Sequence, residues 1–348
     1  MPKNKKQTTT QTRKVQIGRG LDVGTAFIYC AQKESSQIAF RTQRNAFFDI
    51  DYSEFTRGIL EKGDIKYVLS KDKIYVVGDD AIKFANVFGR NTRRPLRDGV
   101  ISPEEKEALP IVELIIKSVL GSPSEKNELC YYSIPGTPTD AEFDTIYHQN
   151  IIKGFLEKWG YRPKSINEGL AVIFSELAEE DFTGMGISLG GGMANVCLAI
   201  MAVPIFSFSV AKAGDWIDEQ VARVANEPVS KITTFKETSL DLKKPEDKMT
   251  KIEQALSIYY NHLIEYILAE IKKEVARSNR IPEFEKPIPI VIAGGTASPP
   301  GFLERFKEIL RKTTFPFGIR EVRLAPHPLY TVAKGTLIAA IADKRKSQ

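Results

Sequence analysis

The sequence predicts an α/β protein made of two similar halves. Strand-like apolar runs alternate with segments of helical periodicity along most of the 348 residues, a pattern typical of helices packed over mixed sheets. A strand, a glycine turn and a second strand at residues 21–30 have a counterpart of the same construction at residues 188–197. A third glycine turn, Gly294-Gly295-Thr296, follows another apolar run. We therefore expect an internal repeat in which each half presents one glycine hairpin.

Short β-rich runs and two helical segments make up the first half. Apolar runs predict strands at residues 15–22, 25–30, 74–77 and 128–134. Helical spacing predicts helices at residues 104–120 and 143–160, the second ending at Gly160 in the usual C-cap position. Pro110 lies inside the first of these helices and allows a break or kink there.

The second half alternates strands and helices in the same way. Strands are predicted at residues 184–189, 194–200 and 287–293, and helices at residues 169–177, 213–225, 251–275, 301–310 and 331–342. Residues 238–248 are polar and predict a loop. The helix at residues 251–275 carries an apolar stripe typical of a core-facing surface, formed by Ile252, Leu256, Tyr259, Leu263, Tyr266 and Ile267.

The net charge of +5 belongs to the two ends of the chain. Residues 1–16 hold five basic residues and no acidic one, and residues 343–348 hold three basic residues and one acidic one. The remainder carries about −2, which does not favour a basic nucleic-acid-binding face. Residues 1–15 are too polar to fold, and we expect both ends to be solvated basic tails, with contact to anionic lipid or DNA as the alternative.

Composition also excludes membrane-spanning and zinc-binding classes. No apolar run approaches the roughly 20 residues of a membrane helix, and residues 1–16 lack the apolar segment of a signal peptide. We therefore expect a cytoplasmic protein without a transmembrane segment. Three cysteines, far apart, and three histidines form no zinc-binding pattern and predict reduced core thiols.

The glycine hairpins are the features that predict chemistry. A strand–glycine–strand turn exposes backbone N–H groups without obstruction by Cβ, an arrangement that suits phosphate oxygens. One such hairpin alone is best interpreted as a tight β-turn, but two matched hairpins and a third glycine turn favour a nucleotide site. The sequence contains no Gly-x-x-x-x-Gly-Lys-[Ser/Thr] loop of the common NTPases.

Several stretches resemble the actin-like ATPases. Residues 20–26 (GLDVGTA) and 188–193 (SLGGGM) are similar to their two phosphate loops. Residues 167–171 (NEGLA) resemble the connecting segment with the water-positioning residue, and residues 293–296 with 300–303 resemble the adenosine motif. Residues 76–81, 94–101 and 328–335 are similar to the bacterial filament-forming branch that includes MreB, MamK and ParM. The resemblance covers approximately residues 16–342.

This resemblance implies an actin-like ATPase fold: two RNase H-like lobes, each with a smaller subdomain, and a nucleotide cleft between them. Residues 16–160 would form lobe I, with a small subdomain at about 37–84 and the helix at 327–342 returning to it. Residues 161–326 would form lobe II, with a small subdomain at about 212–286. Basic tails would occupy residues 1–15 and 343–348.

The resemblance also implies ATP or ADP and Mg²⁺ as ligands, with a role for each matching residue. Asp22 would hold Mg²⁺ largely through its waters, and Glu168 would orient the attacking water. Phosphate contacts would come from Gly24, Thr25, Ala26, Ser188, Gly190, Gly191 and Gly192, and nucleoside contacts from Gly214, Asp215, Lys236, Glu237, Gly294, Gly295 and Thr296. The alternatives are a turn-forming Asp22, a Glu168 that only favours the helix dipole, and a solvated Lys236–Glu237 pair.

Three positions depart from the family pattern. Ser188 and Asn195 stand where the second phosphate loop usually has acidic residues, and Met193 replaces a usual Thr. Because a preorganised electrostatic group typically contributes ~10²–10³ in rate, we expect ATP binding with slow hydrolysis. The resemblance implies head-to-tail filaments acting on an unidentified cargo or adaptor. A monomeric nucleotide-binding adaptor that docks membrane or secretion machinery is the alternative, and a small-molecule kinase or a chaperone ATPase is disfavoured.

Overall fold

The computed structural model describes residues 18–102, 104–105, 107–278, 281, 284 and 286–346. The expected tail at residues 1–15 lies outside this part of the chain.

The described part of the chain contains fifteen strands and ten α-helices. The strands β1–β15 are Arg19–Val23, Phe27–Glu34, Gln37–Arg44, Phe47–Asp51, Tyr67–Ser70, Lys73–Val77, Leu96–Arg97, Val100–Ile101, Glu128–Ile134, Tyr161–Asn167, Gly184–Leu189, Ala194–Ile200, Val203–Val210, Ile288–Ala293 and Ile319–Leu324. The helices α1–α10 are Glu54–Lys62, Asp79–Val87, Ala108–Leu120, Ile146–Lys158, Glu168–Glu176, Gly214–Ala225, Val229–Thr238, Lys251–Arg277, Phe302–Leu310 and Thr331–Lys346.

Each half contains a five-stranded sheet of the same topology. The strand order is β10-β9-β1-β2-β3 in the first sheet and β13-β12-β11-β14-β15 in the second. Each sheet begins with an antiparallel meander of three strands, and two further strands then add in parallel beside the first strand of the meander. The internal repeat predicted from the sequence is therefore present in the fold.

Each half also carries additional elements outside its five-stranded sheet. In the first half, β4, β6 and β5 form a small antiparallel sheet that packs against α2. In the second half, α6 packs against both α7 and α8. Strand β3, at the start of the small subdomain expected at residues 37–84, pairs with β2 along its whole length and so belongs to the main sheet.

Two predicted helices differ at their ends from the expected ones. Helix α3 begins at Ala108 rather than at residue 104, and Pro110 then lies in its first turn, where backbone N–H groups have no intrahelical acceptor. Helix α10 continues through residues 343–346, which we expected to be tail. Asp343 accepts a hydrogen bond from Lys164 at 2.7 Å, and this contact fixes the added turn to β10.

Helices α5 and α10 cross where the two halves meet. Helix α10 packs on β1 and β9 of the first sheet, whereas α5 packs on β11 and β12 of the second. Gly335 allows the close crossing, because a Cβ at that position would overlap the carbonyl oxygen of Ala171. The predicted stripe of α8 is confirmed as a core face, since Leu256, Leu263 and Ile267 are fully buried in the second half.

His148 in α4 makes stability sensitive to acid. Its side chain is buried, and among the described residues neither ring nitrogen has a hydrogen-bond partner. Burial lowers the pKa of His148 to about 4, below the value of about 6.5 in an unfolded chain. The unfolded state therefore takes up a proton first, so we expect stability to be unaffected above pH 7 and to fall by about 3 kcal/mol between pH 6.5 and 4.

Denaturant unfolding of a His148→Leu variant at several pH values checks this effect. The variant should lose less stability than the parent chain between pH 7 and pH 4. A His327→Gln variant, altered at an exposed histidine, is the control and should keep the parent's pH dependence. Equal acid sensitivity in all three chains would contradict the assignment to His148.

Candidate functional site

A cavity of about 600 Å³ lies between the two halves, a size typical of small-molecule sites. Every site residue predicted from the sequence lines it except Gly214, whose N–H donates to the carbonyl oxygen of Gly190 at 3.2 Å. The structure therefore brings together side chains that are up to about 270 residues apart in the chain, from Asp22 to Thr296.

The two glycine hairpins have matching geometry. Val23 pairs with Ile28 and Leu189 with Ala194, so four residues form each turn. The N–H of Gly24 donates to Phe27 O at 3.0 Å, and the N–H of Gly190 donates to Met193 O at 2.9 Å. This register makes Asp22 and Ser188 equivalent positions, each two residues before the first glycine of its turn.

The tips of the hairpins meet across the cavity. The N–H of Gly99, in the turn between β7 and β8, donates to Thr25 Oγ1 at 3.2 Å, and Gly192 packs so closely on Gly99 that a Cβ would overlap it. Among the described residues, the backbone N–H groups of Ala26, Gly191 and Gly192 donate to no acceptor in the protein. These groups are therefore available to bind anionic oxygens in the cavity.

Two carboxylates, those of buried Asp22 and half-buried Glu168, lie beneath the hairpins. Asp22, at the end of β1, accepts a hydrogen bond from Ser133 Oγ at 2.7 Å. Glu168 begins α5, directly after the N-cap residue Asn167. Its Oε2 accepts hydrogen bonds from Ser188 Oγ at 3.1 Å and Asn195 Nδ2 at 2.9 Å.

The surroundings raise the pKa of both carboxyl groups above the ordinary range. Burial raises the pKa of Asp22, and burial together with the nearby charge of Asp22 raises the pKa of Glu168. The negative charges of Asp22 and Glu168 repel each other in a desolvated space. A divalent cation bound between or beside them would reduce this repulsion. An oxygen-lined, electron-rich pocket of this kind fits Mg²⁺.

Comparison with known proteins places the chain in a family. Residues 17–340 match the sequence model of a family described as Volactin. The chain belongs to the volactin family. No curated protein sequence matches this volactin chain.

Several solved structures share the fold of the volactin chain. A MamK double helical filament has a TM-score of 0.70 at 18% identity, with 92% of this chain and 98% of that chain covered. MreB 5 of Spiroplasma citri bound to AMPPNP has a TM-score of 0.66 at 14% identity, with 94% and 97% covered. The actin-like ATPase fold predicted from the sequence is therefore confirmed. Among the helices of the described residues, none combines the length and the apolar composition of a membrane-spanning segment.

Ser188 and Asn195 are neutral hydrogen-bond donors beside Glu168 in the volactin site. Both are buried, and both donate hydrogen bonds to the same oxygen of Glu168. Asn195 also accepts a hydrogen bond at 2.8 Å from the N–H of Gly136, in the first half. These positions therefore orient Glu168 with neutral dipoles and add no negative charge around Asp22.

Lys236 and Glu237 of the volactin chain do not form a solvated pair with each other. The ammonium of Lys236 lies 2.8 Å from Asp218 Oδ2 and 2.8 Å from Gly214 O, and both charged side chains are buried. Glu237 instead pairs with Arg44 of the first half at 3.7 Å.

Asp218 and Arg94 are cavity residues that the sequence analysis did not select. Asp218 lies one helical turn after Asp215 in α6, a spacing that places both side chains on the same side of the helix. Arg94 is the first residue of the stretch 94–101, whose only signal in the sequence is its resemblance to the bacterial filament-forming branch. Helical periodicity would have identified Asp218, whereas no local pattern identifies Arg94.

Proposed function

We propose that this volactin-family chain binds ATP with Mg²⁺ and assembles head to tail into filaments, and that it hydrolyses ATP slowly in the cytoplasm. The observation that supports the proposal is the pair of matched hairpins, which present unpaired N–H groups to the cavity above the carboxylates of Asp22 and Glu168. A triphosphate supplies the anionic oxygens that these groups require.

The residues have distinct roles in this proposal. Asp22 would hold Mg²⁺ through coordinated water, and the bound ion would neutralise phosphate charge. The N–H groups of Ala26, Gly191 and Gly192 would bind phosphate oxygens, and Gly24 and Gly190, whose N–H groups close the two turns, would line the phosphate end of the cavity. Asp215, Lys236, Glu237 and the turn at Gly294, Gly295 and Thr296 would surround the nucleoside. Glu168, held in one orientation by Ser188 and Asn195, would position the attacking water.

Slow hydrolysis follows from the neutral second hairpin. The hydroxyl of Ser188 can accept a hydrogen bond from a water bound to Mg²⁺, but it carries no negative charge that would strengthen this bond. The absence of one preorganised charge at position 188 costs about 10²–10³ in rate.

Filament assembly is supported by the likeness to the MamK double helical filament, which covers 92% of this chain and 98% of that one. A head-to-tail contact between identical chains extends into a filament when its rotation does not close into a ring. We also propose that lobe I includes helix α10 and extends to residue 167 rather than to the expected residue 160, because β10 pairs with β9 in the first sheet. Lobe II would then comprise residues 168–326.

Calorimetry and electron microscopy with ATP and Mg²⁺ test the proposal. We expect binding at one site and filaments that form with ATP but not without nucleotide. Asp22→Asn should weaken Mg²⁺-dependent ATP binding by at least about tenfold, because it removes the charge that anchors the ion. Asp247→Asn, at an exposed carboxylate, is the matched control and should bind as the parent does.

The outcomes separate the candidate functions. ATP binding by a chain that stays monomeric would favour the nucleotide-binding adaptor, for which the neutral second hairpin is suited. Absence of ATP binding would contradict both candidates.

A further inference from the structure

The ion pair between Arg94 and Asp215 joins the two halves at the cavity wall. Nη1 of Arg94 lies 2.8 Å and 2.9 Å from Oδ1 and Oδ2 of Asp215. Arg94 lies in the segment between α2 and β7 of the first half, and Asp215 is the second residue of α6 in the second half. The two side chains are 28% and 30% exposed, so the pair is accessible to a ligand that enters the cavity.

The ion pair lies beside the glycine hairpins. The N–H of Asp215 donates to Gly191 O at 2.8 Å, and its carboxylate lies 3.4 Å from the position of a Cβ on Gly191. On the other side, Gly99 follows Arg94 by five residues and contacts both Thr25 and Gly192. Arg94 therefore lines the same cavity as the tips of the two hairpins.

The cavity has an excess of negative charge that a triphosphate must overcome. Its described lining residues include six carboxylates, Asp22, Glu168, Asp215, Asp218, Glu237 and Asp241, and the only cations among them are Arg94 and Lys236. Lys236 forms an ion pair with Asp218, whose side chain is 0% exposed. If Lys236 moved to a phosphate, the buried carboxylate of Asp218 would lose its ion-pair partner. The partner of Arg94, Asp215, is partly exposed, and water or a ribose hydroxyl could donate hydrogen bonds to its carboxylate instead. Arg94 is therefore the cation that can leave its ion pair and bind a phosphate.

We propose that Arg94 is a phosphate-binding residue: when the nucleotide of the proposed function binds, the guanidinium leaves Asp215 for a phosphate oxygen. A guanidinium forms paired hydrogen bonds with phosphate and retains its charge at any physiological pH. Asp215, released from the ion pair, then accepts hydrogen bonds from the ribose. The direct ion pair between the two halves is then replaced by two contacts with the nucleotide, one from Arg94 and one from Asp215.

Competition by inorganic tripolyphosphate against a fluorescent ATP analogue tests this exchange, because tripolyphosphate has no ribose. Arg94→Gln should weaken tripolyphosphate and ATP binding by at least about tenfold. Arg94→Lys, which keeps the charge but not the paired geometry, should recover part of the loss. Arg97→Gln removes a neighbouring exposed arginine that pairs with Glu104, and it should bind both ligands as the parent does.

Asp215→Asn distinguishes phosphate binding from a purely structural clamp. It releases Arg94, so tripolyphosphate should bind as tightly as to the parent or more tightly, whereas ATP loses a ribose contact. If Asp215→Asn and Arg94→Gln instead weaken both ligands by the same factor, the pair is only a clamp and the proposal is overturned.

The parent chain separates this proposal from the proposed function. If the parent binds ATP and Arg94→Gln binds ATP and tripolyphosphate equally well, Arg94 is not a phosphate ligand and the nucleotide site stands without it. If the parent binds neither ligand, the proposed function fails and the role of Arg94 fails with it.

Discussion

Replacement of Glu168 by Gln is expected to slow single-turnover ATP hydrolysis by ~10²–10⁴-fold, the usual contribution of a positioned acid–base group. The amide oxygen of Gln can still accept the hydrogen bonds that Ser188 and Asn195 donate to Glu168 Oε2. The other carboxylate oxygen is replaced by an NH₂ group, which donates and cannot accept a proton from water. Nucleotide affinity should therefore change only a few-fold.

Rapid mixing of excess enzyme with radiolabelled ATP measures this step without interference from product release. Glu179→Gln makes the same chemical change at an exposed turn that follows α5 and should hydrolyse ATP at the parent rate. A Glu168→Gln chain that hydrolyses ATP as fast as the parent would show that another group positions the water.

Replacement of Gly335 by Ala is expected to lower the free energy of unfolding by about 3 kcal/mol, the upper range for overpacking a core. The added Cβ would overlap the backbone of Ala171, and a backbone carbonyl cannot move aside as a flexible side chain does. Helices α5 and α10 would have to separate, and this would loosen the junction between the two halves.

Gly154→Ala in α4 is the matched substitution. A Cβ at Gly154 meets nothing within 4 Å, so the change should stabilise the protein by about 0.5–1 kcal/mol through helix propensity. Chemical denaturation followed by circular dichroism measures both variants. A Gly335→Ala chain as stable as the parent would mean that the helices do not cross so closely.

The sequence predicts the interior strands well and the peripheral ones poorly. The strands Glu128–Ile134, Gly184–Leu189 and Ala194–Ile200 have the predicted bounds, because each is a nearly continuous apolar run buried on both faces. The edge strands β3 and β15 were missed, since most of their side chains are polar or partly exposed and no periodicity marks them. Helix α7 was missed for the same reason, as Ile232 is its single buried residue within the described chain.

The hairpins of the candidate site could be predicted, but the contacts between them could not. Glycine spacing marks the turns at residues 24–27 and 190–193 because the constraint on the backbone is local. The hydrogen bonds from Ser188 and Asn195 to Glu168 depend on how β11 and β12 lie against the start of α5. The pair between Arg94 and Asp215 joins residues 121 positions apart and depends on the approach of the two halves.

A crystal structure determined with AMPPNP and Mg²⁺ would show where the nucleotide and the metal bind. We expect the phosphates to lie between the turns at residues 24–27 and 190–193, with their oxygens within hydrogen-bond distance of the N–H groups of Ala26, Gly191 and Gly192 and with the metal beside Asp22. A nucleotide bound elsewhere on the chain, or phosphates that contact only one hairpin, would contradict it.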